Sequence, residues 1–258
     1  GRGGGHGPLE KPYGVSLTLL ETGKPLWSRE LKAACYYQSH WNAKELYWFE
    51  QTNQLILDPL TGATLRRQNL SDDVTYDDPL EGTRQENTSL KVGKEVPFTK
   101  QTNIVAGDYH YYLAHNITAI GRVHIPTGNT EYLRVPAQLV ASDQGRDHHQ
   151  LLWDKKDALP NDTKNSRGID IATDKRAKGT GWGHVSAASP ILVNQHLFFP
   201  IMNGTVYVID AFAESLDESA LIAINDLGPA GQTWTLAGFT YANGRLWTRT
   251  MKEVICLE

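Results

Sequence analysis

The residue types best suited to chemistry gather in and just after a polar stretch over 141–183. Arg167, Asp170, Asp174, Lys175 and Arg176 fall close together there, and Trp182, Gly183 and His184 follow as strand-like sequence resumes. A guanidinium pairs with carboxylates, an indole stacks on a sugar ring or another flat ligand, and imidazole titrates near neutral pH. Placed at a channel mouth, Arg167, Asp170, Trp182 and His184 would make a ligand-binding set. A second reading has Trp182 filling the core and His184 bonding a backbone carbonyl, and the residues alone leave both open.

Histidines recur along the chain, at His6, His110, His115, His124 and His184. If different blades each aimed one at a common axis, His6, His110 and His124 could hold a transition metal, because neutral imidazole is a common ligand. His110 and His115 have odd spacing, so on one strand they face opposite sides and only one could join such a site. His148 and His149 read as solvated loop residues. Ser186 and Ser189 lie near His184, but no Gly-x-Ser-x-Gly elbow supports a nucleophile. A glycosidase carboxylate pair is set by spacing in the fold, not in sequence, and Asp147 and Asp154 read equally as loop charges.

These residues need elements to position them. The chain has 258 residues and a formal net charge of -4, which allows one large all-β domain or two small ones and supplies no basic field for nucleic acid. No apolar run approaches a membrane span. The two cysteines, Cys35 and Cys256, could form one disulfide or stay as thiols, and no Cys-x-x-Cys suggests a zinc ribbon. The five Asn-x-Ser/Thr sequons, at Asn69, Asn87, Asn116, Asn161 and Asn203, fit the turn chemistry of Asn, Ser and Thr.

A short motif recurs and decays. It runs from Leu17 to Trp27, again from Ile56 to Arg66, and again from Arg122 to Tyr132, each time with a Thr-Gly pair between strand-like segments. A repeated hairpin predicts a β-propeller. Fuller four-stranded blades are expected over 32–70, 100–140 and 184–227, with blade remnants at 13–31 and 233–258. Insertion loops are expected over 71–98 and 141–183. This count does not close a ring, so the predicted fold is all-β, the C-terminal part of a larger β-propeller. The remaining blades would come in cis or from another chain.

The hairpins resemble the Ala-x-Asp-x-x-Thr-Gly-Lys-x-x-Trp repeat of quinoprotein-dehydrogenase-like propellers, whose blades lock by tryptophan docking. Thr22, Gly23, Lys24 and Trp27 fit it with Leu19 in place of Asp. Asp58, Thr61 and Gly62 fit with Arg66 in place of Trp, and Thr127 and Gly128 fit with His124 and Tyr132 at the two variable points. Strings such as Gly181 to Pro190 and Asn225 to Gly231 are similar to exported quinoprotein-like propellers of planctomycete-type bacteria. That resemblance implies a periplasmic or extracellular location and further blades upstream. The quinone (PQQ) and calcium of the dehydrogenases are not expected, because no adjacent cysteines and no motif-placed carboxylate occur. The reading that follows is an exported non-catalytic scaffold binding a polysaccharide or protein partner through blade-end loops. The alternative is a degenerate quinoprotein-type oxidoreductase or a hydrolase using the central channel.

Overall fold

The computed structural model describes residues 14–30, 39–50, 52–91, 96–99, 102–114, 116–142, 145–170 and 188–257. It is all-β, with no α-helix among the described residues and no helix long and apolar enough to cross a membrane. The chain divides into two compact units, residues 1–69 and 70–258.

In the first unit, β1 (Gly14–Thr18) and β2 (Pro25–Glu30) form a two-stranded sheet. A four-stranded antiparallel meander follows, built from β3 (His40–Trp41), β4 (Leu46–Glu50), β5 (Asn53–Leu57) and β6 (Thr64–Asn69). Leu46, Leu55 and Leu57 form its buried cluster, with Val15, Trp27 and Trp48 packed against them. Trp27 Nε1 donates to the Pro59 carbonyl at 2.9 Å. The Trp27 ring sits so close to Gly62 that a Cβ there would lie 2.6 Å from it. The expected tryptophan docking thus occurs on the next hairpin, and it requires glycine at 62.

The repeat is one backbone device. At Leu19, Asp58 and His124 the N–H donates to the carbonyl five residues on, at 2.8–2.9 Å. The same residues' carbonyls accept from Gly23, Gly62 and Gly128, at 2.7–2.9 Å. Those glycines have φ of 67°, 72° and 84°, the left-handed region that glycine enters without steric cost. At Asp58 the side chain adds to this, accepting from the N–H groups of Leu60 at 2.7 Å and Thr61 at 3.1 Å. Asp58→Ala should therefore cost about 1 kcal/mol, read as a modest fall in the urea midpoint. No loss would mean that the main chain alone shapes the loop.

In the second unit, β7 (Val74–Asp78) and β8 (Thr83–Thr88) precede β9 (Asn103–Ala106), β10 (Tyr109–Ala114), β11 (Ala119–His124) and β12 (Thr130–Arg134). These six make one sheet in the order β8-β7-β12-β11-β10-β9, with β7 parallel to β12. β13 (Gln138–Ser142) pairs with β14 (Gly145–Leu152). A four-stranded meander follows, from β15 (Ile191–Val193), β16 (His196–Pro200), β17 (Thr205–Asp210) and β18 (Leu221–Asp226). Three strands end the chain, β19 (Thr240–Ala242), β20 (Arg245–Arg249) and β21 (Val254–Leu257).

The inner strands β16 and β17 are covered on both faces, which is why they read as nearly continuous apolar runs. Leu197, Phe199, Tyr207 and Ile209 face Tyr111, Leu113, Ile120 and Leu133 of the six-stranded sheet. Val206 and Phe198, on the opposite face, pack with Leu246 and Ile255 of the last sheet. These up-and-down sheets, stacked face to face, are of propeller-blade type.

Two expectations need correction. Residues 71–98 were expected as a loop, yet they carry the β7–β8 hairpin that extends the neighbouring sheet. Its turn repeats the Asp58 device: Asp78 accepts from Leu80 and Glu81 at 3.1 and 3.3 Å, and Gly82 has φ 61°. Residues 141–183 were likewise expected as a loop, yet β14 forms within them, so His149 lies on a strand. β8 is exposed along nearly its whole length, so its sequence lacks the apolar alternation that marks a half-buried strand.

Candidate ligand-binding site

The six-stranded sheet and the segment 211–217 build a site around one buried cation. Arg122 on β11 sits opposite Tyr111 on β10 and Glu131 on β12, so the three side chains share a face. The Arg122 side chain is fully buried. Its Nε donates to Glu131 Oε2 at 2.6 Å, and its Nη1 donates to Tyr111 Oη at 3.0 Å and to the Ala213 carbonyl at 2.7 Å. Nη2 donates to the Glu214 carbonyl at 2.9 Å. The planar guanidinium also lies 4.1 Å from the centroid of the Tyr109 ring. Paired and hydrogen-bonded on this scale, a buried charge is tolerated.

Segment 211–217 becomes a strap over the sheet through these bonds. Tyr111 Oη donates to the Ala211 carbonyl at 3.0 Å, and Leu216 N–H donates to Glu131 Oε1 at 3.2 Å. The strap ends in a 3-10 turn, Glu218–Ala220, capped by Asp217. Two openings flank it. One, of about 310 Å³, is lined by Asp73, Tyr109, His124, Asn129, Glu131 and Glu214, among others. Tyr109 and His124 are cross-strand partners whose rings lie 5.1 Å apart. His124 Nδ1 is 2.8 Å from Thr127 Oγ1 of its own hairpin.

The other opening is a groove of about 630 Å³ lined by Asp77, Asp78, Arg84, Asp217 and Glu218, among others. Burial raises the Asp77 carboxyl above the usual carboxylate range, with Arg84 opposing it. The hydrogen bond from the Ser219 hydroxyl holds Asp217 below that range.

The residues expected from sequence are distributed differently. Arg167 and Asp170 share one exposed turn, in which Thr163 Oγ1 donates to Asp170 Oδ1 at 2.6 Å. In the same turn Asn165 Oδ1 accepts from the N–H groups of Arg167 and Ile169. Trp182, His184, His6 and Cys35 lie outside the described residues. The metal set needs correction at His110 and His124. His110 pairs with Val123 while His124 pairs with Tyr109, so the two histidines face opposite sides of the sheet. His110 is fully buried, with Nε2 3.0 Å from Asn103 Oδ1. Among the described residues no group of three or more His, Cys, Asp or Glu side chains is placed to hold a metal ion.

Sequence reasoning missed Arg122, Glu131 and the strap. The usable signal was a lone Arg in an apolar strand, with a Glu at the cross-strand position that the Thr-Gly hairpin's register fixes.

No protein-family model and no curated protein matches the sequence. Among solved structures the chain is similar to the computationally designed protein Ika8, with a TM-score of 0.47 at 11% identity over 94% of this chain and 51% of that one. It is similar to the quinohemoprotein alcohol dehydrogenase ADHIIG from Pseudomonas putida HK5, with a TM-score of 0.48 at 9% identity over 92% of this chain and 36% of that one. It is also similar to BamB from Moraxella catarrhalis, with a TM-score of 0.29 at 13% identity over 92% and 76%. The chain thus spans about half the length of Ika8 and about a third of the dehydrogenase.

Proposed function

We propose that this chain is an exported, non-catalytic propeller scaffold that binds a polysaccharide in the pocket beside the strap. One observation carries the reading. The pocket is lined by two ring-bearing residues, Tyr109 and His124, together with the acidic Asp73 and Glu214 and the amide-bearing Asn87 and Asn129. Planar carboxylates and amides match the vicinal hydroxyls of a sugar, and the faces of aromatic rings match its C–H groups. Glu131 is engaged by Arg122, so Asp73 and Glu214 leave the pocket negative and favour a neutral or amino sugar over a uronate or sulfated one. The remaining blades, in cis or from another chain, complete the scaffold in this reading, and no quinone or calcium takes part.

A glycan array with the purified protein tests it. Neutral or amino-sugar glycans should be retained and acidic ones should not. Replacing Asn129 by Ala together with Glu214→Gln should weaken the best glycan about tenfold, the loss of one or two hydrogen bonds. The unfolding midpoint should not move, because the Glu214 bond to Arg122 uses its backbone carbonyl. Absence of any retained glycan would sink the reading, and a stoichiometric quinone absorbance would replace it with an oxidoreductase.

A further inference from the structure

Strand β8 is the outermost strand of its sheet and pairs only with β7 among the described residues. Among the described residues its outer side therefore presents a row of backbone N–H and C=O groups, the template on which an extended segment can add as a further strand. Side chains on sheet edges normally reject chance pairing, and here they also select what can pair. Arg84 sits opposite Asp77, on the face that carries the groove, and Glu86 lies two residues along on that same face.

The charge on that face is one-sided. Arg84 stands 3.8 Å from Asp77 and 3.9 Å from Glu86, and the strap adds Asp217 and Glu218 on the groove's far wall. Arg84 also stands 3.6 Å from Glu131, which is already paired with Arg122, so beyond that pair four carboxylates face one guanidinium. A strand added along β8 would turn every second side chain onto this face, toward a groove of about 630 Å³.

We propose that β8 is a docking edge for an extended segment of a partner protein that carries basic side chains at alternate positions. Main-chain bonds to β8 supply the pairing, and Glu86, Asp217 and Glu218 read the alternation.

The test uses the full chain and a labelled peptide alternating Lys and Thr over about ten residues, followed by fluorescence anisotropy at moderate salt. Its block isomer, all Lys and then all Thr, should bind about tenfold more weakly despite equal charge. Two further peptides are N-methylated, one at every Lys amide and one at every Thr amide. One of them should lose about tenfold and the other should bind as before, because only one set of amides faces the edge. Glu86→Lys with Glu218→Lys, both exposed, should weaken the alternating peptide about tenfold at an unchanged unfolding midpoint. Equal binding of the block isomer would overturn the proposal, as would no binding of the alternating peptide. Identical behaviour of the two methylated peptides would also overturn it, as would indifference to the double charge reversal.

Discussion

Arg122→Ala is expected to cost about 3 kcal/mol of stability, because it breaks a buried ion pair and leaves Glu131 only Arg84 and the Leu216 N–H. The loss reaches further than Glu131. The carbonyls of Ala213 and Glu214 and the Tyr111 hydroxyl all lose their donor together. Arg122→Lys should recover only part of this, since one ammonium cannot reproduce a planar fork aimed in four directions. Urea unfolding should show a lower midpoint with an unchanged slope if the folded state stays compact. A change under about 1 kcal/mol for the Ala variant would mean that the strap is held by Leu216 and the core alone.

Gly121→Ala is expected to cost about 3 kcal/mol by overpacking. A Cβ at 121 would lie 2.5 Å from Tyr112 Cζ, 2.6 Å from Cε2 and 2.8 Å from the hydroxyl. The ring has nowhere to go. Tyr112 and Tyr132 are fully buried and edge-on at 5.8 Å. The Tyr112 hydroxyl donates to Tyr132 Oη at 2.7 Å, which in turn donates to the Leu70 carbonyl at 2.7 Å. Truncating Tyr112 as well should relieve the clash, so Gly121→Ala with Tyr112→Ala should cost clearly less than the two single changes summed. Additive costs would show that the backbone, rather than the ring, absorbs the extra methyl.

The sequence showed where its physics was local. The Thr-Gly hairpins were legible because glycine at a left-handed position and a capping side chain act over a few residues. The hairpin at 78–83 escaped although Asp78, Pro79 and Leu80 repeat Asp58, Pro59 and Leu60, because Glu81 stands where Thr61 was and its second strand is solvent-facing and polar. The β16 and β17 strands were legible because burial on both faces made them apolar throughout. The candidate site was not legible, because it depends on distant segments meeting. The partners of Arg122 at 213 and 214 lie some ninety residues away in sequence. His110 and His124 looked alike as letters, and only strand register separates a core histidine bonded to Asn103 from one that lines an open pocket.

The same hairpin loop closes whether its first residue is Leu19, Asp58 or His124, because main-chain bonds and a left-handed glycine hold its shape. That position is consequently a vacant slot in an otherwise self-sufficient cassette, where a side chain can be exchanged without retooling the turn. At 124 the slot holds His where Asp58 and Asp78 stand in other copies. That is the one copy whose first residue lines the proposed sugar pocket, so the place where the repeat is least faithful is where the scaffold has room to specialise.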